Sequence, residues 1–283
     1  MIPLDKISDF PNHPYKVENN DEMQLMIESV RDGGVRYPAI VRPKEDGGYE
    51  MICGHRRKFA SQFLGLKEIP AIIRDLSRDE ATILMVDSNI QREKVLPSEK
   101  AFAYKMKLEA MNHQGKRTDL TSGQVEQKLE KKTSRDILAE QSSDSSATIR
   151  RYIRLTELIK DMLELVDIGK VAFSPAVEIS YLKEDEQYVL LDCINKYDST
   201  PSQAQAIHMK KLSQDGKLTA EKIEDIMEEE KPNQKPKYKI SYDRFEKYLP
   251  RDVVTEKEVE DFLFTCVEEH HKRQIQKQRA MVR

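Results

Sequence analysis

The hydrophobic positions of residues 1 to 93 change between the period of a helix and the period of a strand. The first predicted helix has apolar residues at i, i+3, i+4 and i+7, namely Met23, Met26, Ile27 and Val30. A capping box at Asn19 and Glu22 is predicted to start this helix, and Gly33 and Gly34 are predicted to end it. The later elements predicted here are strands at 38–42 and 49–52, a helix from Gly54 to Leu64, a strand at 69–73 and a helix at 79–91. Residues 1–93 are therefore predicted to form a small α+β domain.

From residue 94 to residue 230 the strand pattern is absent and helical spacing continues. The predicted elements are a helix from Ala101 to Met111 that stops near Gly115, a basic helix within 116–132, and a helix, tight turn and helix over 134–155. The last three elements are typical of a helix-turn-helix, so we expect 94–230 to be an all-helical DNA-binding domain.

Residues 231–239 carry two prolines and four lysines without apolar periodicity, which predicts a linker. Beyond it, residues 240–283 are predicted to form a helical C-terminal element. One apolar stripe marks that helix: Val259, Phe262, Leu263, Cys266 and Val267. The stripe is either a dimer contact or a contact with the chain itself, and the sequence favours neither.

Charged residues make up 34% of the 283 residues and hydrophobic ones 38%, and the mean hydropathy is −0.69. No apolar run approaches the ~20 residues that cross a bilayer, and no signal-peptide pattern follows Met1, so we expect neither export nor a membrane partner. The three cysteines form neither a disulfide framework nor a zinc-binding spacing, which favours a reducing cytoplasm. With a net charge of −3, any DNA binding must depend on local basic patches.

The first candidate site follows the second predicted strand, where a helix opens with Gly54, His55, Arg56 and Arg57. Glycine lets an anion approach the backbone, the helix start supplies free N–H groups, and the arginines supply forked positive charge. This combination favours phosphate binding. A solvated basic helix start is the alternative that these four residues leave open.

The second candidate site lies at the end of the helix predicted at 79–91. It offers amide oxygens on Asn89 and Gln91 and a phosphate partner on Arg92. Asp87 is a hard carboxylate ligand of the kind that magnesium prefers. The same residues are also typical of a polar hinge between two helices, and this alternative stays open.

The third candidate site is the second helix of the predicted helix-turn-helix, whose start carries small hydroxyl side chains. We expect its first residues to face DNA bases and its arginines to face phosphates. The base-facing residues are Ser145, Ser146 and Thr148, and the phosphate-facing residues are Arg150, Arg151 and Arg154. A charged, solvated helix is the alternative, and the short preceding turn favours DNA.

Four segments resemble the ParB-type partition proteins in their order and spacing. Phe10–Pro14 resembles the family's Asn-Pro box, and Glu28–Arg42 resembles its run that ends in Pro-hydrophobic-x-Val-Arg. Gly54–Arg57 resembles its Gly-Glu-Arg-Arg box, and Asn89–Arg92 resembles its Glu-Asn-x-Gln-Arg box. A helix-turn-helix follows at the right distance, and the resemblance continues to about Leu182.

The resemblance implies an α+β N-terminal domain of the ParB and sulfiredoxin-like fold, which binds CTP with Mg²⁺. The nucleotide-binding residues implied by position are Gly54, His55, Arg56, Arg57, Asn89 and Arg92, of which Asn89 would also assist the metal. The resemblance further implies a homodimer that reads a palindromic site on double-stranded DNA, closes into a sliding clamp, reopens on slow CTP hydrolysis and stimulates a ParA-type ATPase. Such a protein is cytoplasmic and associated with the nucleoid or a plasmid.

Two residues depart from the family's pattern. His55 stands where the family often has Glu, and Ser88 stands where it has the metal-coordinating Glu. A serine hydroxyl is a weak magnesium ligand and no general base. Asp87 does not replace it, because adjacent residues of a helix point about 100° apart. We therefore expect CTP binding to survive and hydrolysis to be slow or lost.

The main alternative function is a ParB-like transcriptional regulator of a mobile element without CTPase activity. A sulfiredoxin-like redox enzyme is more remote. Its reactive cysteine directly precedes His-Arg, whereas here Gly54 separates Cys53 from His55. We expect Cys53 to face the strand side as a small core residue. A nuclease has no metal-carboxylate cluster in this sequence to support it.

Overall fold

The computed structural model describes residues 1–90, 95–119, 133–229, 248–250 and 255–281. The chain divides into two units, Met1–Glu229 and Glu230–Arg283. The boundary predicted between residues 93 and 94 therefore lies inside the first unit, and the linker predicted at 231–239 lies outside the described residues.

The N-terminal part of the first unit contains two small sheets and three helices. Its strands are β1 (Ile2–Pro3), β2 (Ile7–Ser8), β3 (Ala39–Pro43), β4 (Tyr49–Cys53), β5 (Glu68–Ile69) and β6 (Ala71–Ile73), and its helices are α1 (Asp21–Gly33), α2 (His55–Phe63) and α3 (Arg78–Ile90). Strands β1 and β5 pair antiparallel, and the second sheet has the order β2-β4-β3-β6. In that sheet β3 is antiparallel to β4 and parallel to β6, while β2 is parallel to β4.

Strand β4 is buried on both faces. Met51 belongs to one apolar cluster with Val41, whereas Ile52 belongs to another with Met85 of α3. Because both faces are covered, β4 shows no alternation of apolar and polar residues. The packing on both sides holds the end of this strand in place, and Gly54 directly follows it.

The structure corrects two local predictions in this part of the chain. Helix α1 is capped by Asn20 rather than Asn19, because the Asn20 side chain accepts a hydrogen bond from the N–H of Met23 at 3.1 Å. The strand predicted at 69–73 is interrupted at Pro70, which has no N–H to donate, and its halves β5 and β6 join different sheets. The other predicted strands and helices of this part are present with similar bounds.

The rest of the first unit is helical. Its helices are α4 (Pro97–Asp119), α5 (Ser134–Glu140), α6 (Ser146–Arg154), α7 (Lys160–Asp167), α8 (Phe173–Ile179), α9 (Glu184–Tyr197), α10 (Gln203–Gln214) and α11 (Ala220–Glu228). The centre of their apolar core includes Met162, Ile179, Leu190 and Met209. Helix α4 continues through Gly115, so the predicted stop is wrong; one glycine inside a helix costs only about 1 kcal/mol. The basic helix predicted at 116–132 lies mostly outside the described residues.

The helix, turn and helix predicted over 134–155 are present as α5 and α6. Thr133 caps α5 and Ser145 caps α6, each by accepting a backbone N–H group. Between them, the turn is held by α4, because the Tyr104 hydroxyl donates to the Asp144 carboxylate at 2.6 Å. Burial, together with this hydrogen bond, raises the pKa of Tyr104 far above its ordinary value. The hydroxyl therefore stays a neutral donor that fixes the turn.

The second unit contains α12 (Glu256–Met281). On this helix Val259, Phe262 and Leu263 are half-buried, whereas Cys266 and Val267 are exposed. A contact with a second copy and a contact with the chain itself both stay open as alternatives for the stripe. Within the described parts of the chain, we find no helix with the length and apolar character needed to cross a membrane.

Candidate functional site

A cavity of about 680 Å³ lies in the first unit, where the loop before α1 meets the start of α2 and the end of α3. The predicted nucleotide-site residues that line it are Gly54, His55, Arg56, Arg57 and Asn89. The remaining one, Arg92, lies outside the described residues. The volume is within the range of about 300–1,000 Å³ that is usual for small-molecule pockets. The fold thus brings the first and second candidate sites predicted from the sequence together in the wall of one cavity.

The backbone at the start of the cavity wall requires Gly54. Its φ is 118°, in the left-handed region, and a Cβ added there would lie 3.0 Å from the Cβ of Ala39 on β3. Any other residue would be strained by the backbone angle and by this contact. Directly after Gly54, α2 begins with N–H groups that have no partner within the helix. These donors and the positive end of the helix favour an anion at this point.

The two arginines of this segment have different roles in the fold. Nη1 of Arg57 donates to the carbonyl oxygens of Tyr37 and Pro38, the latter at 2.7 Å, so this side chain braces the segment that enters β3. Nη1 of Arg56 is instead 3.3 Å from Oε2 of Glu22 on α1, whose side chain is 59% exposed. Such an exposed ion pair contributes only about 0–1 kcal/mol. Arg56 is therefore the arginine that a bound anion can recruit at little cost.

Two histidines form part of the cavity wall. The ring centroids of His13 and His55 are 3.7 Å apart, and the rings are tilted by 36°. Nδ1 of His13 lies 2.8 Å from the carbonyl oxygen of Tyr15, which can only accept, so Nδ1 carries the hydrogen. The cavity is also lined by His13, Lys16 and Glu99, for which the sequence predicted no role. The one signal for His13 was its place in the segment that resembles the Asn-Pro box.

The hydroxyl of Ser88 is bound into the protein. It donates to the carbonyl oxygen of Met85 at 2.9 Å, and the Cys53 sulfur lies 3.1 Å from the serine oxygen. Since the single hydroxyl hydrogen is used on Met85, the thiol is the donor in the second contact. Cys53 belongs to the apolar cluster of Ile52 and Met85, as expected of a small core residue, and it also lines the cavity, which was not expected. The burial of β4 on both faces hid this, because alternation along the strand does not show which way its last residue points.

Asn89 lies at the end of α3 and is only 4% exposed. Its Nδ2 donates to the Met85 carbonyl at 2.7 Å and to the Ser88 oxygen at 3.1 Å. This orientation uses both amide hydrogens inside the protein, and no described residue donates to Oδ1. The atom that Asn89 can offer to a ligand is therefore the carbonyl oxygen of its side chain.

The described residues offer few ligands to a metal. Among them, no group of three or more His, Cys, Asp or Glu side chains could hold a metal ion. Asp87 points away from the cavity, because its Oδ1 accepts a hydrogen bond from Lys107 on α4. Mg²⁺ usually binds one or two protein oxygens and completes its shell with phosphates and water. Oδ1 of Asn89 fits such an ion when a triphosphate supplies most of the other ligands.

Hydroxyl side chains at the start of α6 take part in the helix cap. Oγ of Ser145 accepts the N–H of Thr148 at 3.1 Å and lies 2.9 Å from the Thr148 hydroxyl. Ser146 is half-buried at the first position of the helix. The structure places all three residues at the helix start, and their contact with bases stays a prediction.

The three arginines of α6 lie in different environments. Arg154 donates through Nε to Oγ of Ser180 at 3.2 Å, and Arg151 donates to Oγ of Ser174 at 2.7 Å. Arg150 is exposed and has no hydrogen-bond or ion-pair partner among the described residues. Arg150 is therefore the arginine most available to a phosphate, whereas Arg154 fastens α6 to the segment that follows α8.

Comparison with known proteins identifies related sequences. Residues 1–90 match the family model described as the ParB N-terminal domain. The chromosome-partitioning protein Spo0J of Thermus thermophilus is 30% identical over 196 residues, which cover 69% of this chain and 65% of that protein. A nucleoid occlusion protein of Listeria monocytogenes is 31% identical over 192 residues, which cover 67% of this chain and 60% of that protein. The matched part spans less than two thirds of the length of these relatives.

Similar solved structures include two of C-terminally truncated ParB from Caulobacter crescentus. The complex with the centromeric parS site is 18% identical, covers 80% of this chain and 97% of that chain, and has a TM-score of 0.41. The complex with CTP-gamma-S is 22% identical, covers 68% of this chain and 96% of that chain, and has a TM-score of 0.31. At these scores the likeness transfers no feature from those structures to this chain.

Proposed function

We propose that this chain, whose residues 1–90 match the ParB N-terminal domain, is a ParB-type, DNA-binding partition protein gated by CTP. In this proposal the cavity of the first unit binds CTP, and α5 and α6 bind a specific DNA site. The observation that carries it is one cavity wall that unites the left-handed Gly54, the start of α2, Arg56 and Asn89. The choice of cytosine comes from the family resemblance, because no residue type in the wall is specific for one base.

We place the triphosphate at the start of α2. The free N–H groups of the first helical turn would donate to its oxygens, and Arg56 would leave Glu22 to pair with it. Arg57 would keep its hydrogen bonds to the segment before β3 and so hold the wall in shape. A magnesium ion on the phosphates would offset their charge, and Oδ1 of Asn89 would be its protein ligand.

The partners that we propose are double-stranded DNA with a palindromic site, a second copy of the chain and a ParA-type ATPase. A palindromic site presents two identical halves, and a two-fold symmetric dimer reads both at once. The apolar stripe on α12 is a candidate contact for that dimer. A protein with these partners works in the cytoplasm, at the nucleoid or on a plasmid.

Hydrolysis of CTP is predicted to be slow or absent, because Ser88 replaces the glutamate that the family places beside Asn89. We expect Ser88→Glu to raise the turnover rate by roughly tenfold or more, since a positioned carboxylate supplies the missing base or metal ligand. Ser88→Gln has nearly the same shape without the charge and should stay at the wild-type rate. Phosphate release with saturating CTP, Mg²⁺ and DNA measures all three proteins. A wild-type rate equal to that of Glu-bearing relatives, with no gain in Ser88→Glu, would contradict this prediction.

Thr148 and Arg150 are predicted to affect DNA binding in different ways. Thr148→Ala should reduce the preference for the specific site over a scrambled duplex by about 1 kcal/mol or more, because it removes a base contact. Arg150→Ala should weaken binding to both duplexes equally and reduce the slope of log K against log salt by about 0.9, because it removes a phosphate contact. Binding curves on both duplexes at several salt concentrations measure these effects. Equal losses on the two duplexes for Thr148→Ala would refute its base-reading role.

The departures at His55 and Ser88 favour one alternative, a ParB-like transcriptional regulator without CTPase activity. Such a protein would bind its DNA site through α5 and α6 in the same way. It would differ in binding no nucleotide in the cavity, so a nucleotide titration separates the two functions.

A further inference from the structure

Lys16 connects the cavity wall to the helical part of the first unit. It lies in the loop before α1 and lines the cavity. Its Nζ is 3.2 Å from Oδ2 of Asp167, the last residue of α7. The lysine side chain is 46% exposed, whereas the aspartate side chain is 6% exposed. A cation of the cavity is thus paired with a buried carboxylate from another part of the fold.

Asp167 has other hydrogen-bond donors, so the Lys16 side chain can break the ion pair without leaving the Asp167 carboxylate unpaired. Asp167 also accepts the N–H of Ser98 at 2.9 Å and the Ser98 hydroxyl at 2.6 Å, so it would keep two hydrogen bonds. The backbone N–H of Lys16 donates to Glu99 at 2.8 Å, which holds the lysine backbone beside α4. Only the flexible side chain of Lys16 therefore has to move.

We propose that Lys16 exchanges partners when the cavity fills. In the empty cavity its ammonium group pairs with Asp167. When a polyphosphate binds, the ammonium group pairs with a phosphate oxygen, and Asp167 keeps its two hydrogen bonds from Ser98. The phosphate wins because it carries more charge than one carboxylate, and because the charge of Asp167 is already partly offset by its two other hydrogen bonds. This inference rests on the proposed function, since the cavity must receive the phosphates of a nucleotide.

Because of this exchange, nucleotide binding weakens the contact between the loop before α1, which carries Lys16, and α7. By thermodynamic linkage, whatever strengthens the pair of Lys16 and Asp167 weakens nucleotide binding by the same factor. The release of Glu22 by Arg56 also accompanies binding, but it loosens no contact with α7, because Arg56 and Glu22 both belong to the N-terminal part. Helix α7 shares an apolar core with Leu155, which directly follows α6, so the weakened contact lies in the part of the fold that carries the DNA-binding helices.

A double-mutant cycle with Asp167→Asn and Lys16→Met tests the exchange. CTP with Mg²⁺ is titrated into the full chain by calorimetry, and sodium tripolyphosphate serves as a second probe for the phosphates alone. Asp167→Asn should tighten binding by roughly two- to fivefold, because it removes a competing carboxylate from a lysine whose side chain is 46% exposed. Lys16→Met should weaken binding, and in the Lys16→Met background Asp167→Asn should change nothing.

Ser98→Ala is the matched control, because it disturbs the start of α4 and one hydrogen bond of Asp167 but keeps Lys16 paired. It should not tighten binding, and urea unfolding checks that each variant is folded. The exchange is overturned, with the nucleotide site left standing, if Asp167→Asn leaves the affinity unchanged or tightens it equally without Lys16. A wild-type chain that binds neither CTP nor tripolyphosphate overturns both the exchange and the proposed function.

Discussion

Replacing Asp87 with alanine is expected to lower the free energy of unfolding of the chain by about 2–3 kcal/mol. The reason is Lys107, whose side chain is only 2% exposed and whose Nζ donates to Asp87 and, at 3.0 Å, to Gln141. Without Asp87 the buried ammonium group keeps one neutral acceptor, and its charge is left nearly uncompensated. The expected loss is below the roughly 3–5 kcal/mol typical of fully buried pairs, because the Asp87 side chain is 46% exposed.

The double variant Asp87→Ala/Lys107→Met separates this cause from any other effect of losing Asp87. It leaves no buried charge, and methionine keeps most of the lysine's length, so most of the lost free energy should return. Asp46→Ala is the control for an exposed carboxylate, since its side chain is 72% exposed, and should change stability by no more than about 0.5 kcal/mol. Urea unfolding followed by circular dichroism measures all variants. A double variant that is less stable than Asp87→Ala would contradict the explanation.

Replacing Arg56 with alanine is expected to weaken CTP binding by roughly 10- to 100-fold. A hydrogen bond to a charged partner contributes about 1.5–3 kcal/mol, and Arg56 offers a fork of such donors to the phosphates. Releasing Glu22 costs little of this binding free energy, because the ion pair of Arg56 and Glu22 is exposed. Arg56→Lys keeps the positive charge but loses the forked pair of donors, so its affinity for CTP should lie between those of the wild type and Arg56→Ala.

Arg31→Ala is the matched control for this experiment. Arg31 is an exposed cation on α1 that does not line the cavity, so its loss should leave CTP affinity at the wild-type value. Calorimetry gives the affinities, and urea unfolding shows whether the variants are folded. If Arg56→Ala binds CTP as tightly as the wild type does, Arg56 has no place in the nucleotide site.

The first half of the site could be predicted from the sequence because its parts are contiguous. The strand predicted at 49–52 and the helix predicted from Gly54 to Leu64 are decided by neighbouring residues, and the structure has them as Tyr49–Cys53 and His55–Phe63 on either side of Gly54. The helix-turn-helix elements could be predicted for the same reason. Their caps, at Thr133 and Ser145, act within a single turn of backbone.

The rest of the cavity could not be predicted, because tertiary packing brings it together. Lys16 and Glu99 meet through a hydrogen bond between distant segments, and no local pattern marks either as a cavity residue. The different roles of Arg56 and Arg57 depend on which partner each reaches, Glu22 on α1 or carbonyl groups before β3. The cap of α1 was also predicted wrongly, because Asn19 and Asn20 are adjacent and the sequence does not show which of them accepts the helix N–H.

The central claim is that the cavity binds CTP, and a titration of CTP against ATP, GTP and UTP tests it most directly. The titration is made on the full chain with Mg²⁺, with and without DNA from its own replicon. We expect selective binding of CTP with slow or absent hydrolysis in the same samples. If no nucleotide binds in either condition, the cavity is not a nucleotide site, and the chain is a regulator that acts through its helix-turn-helix alone.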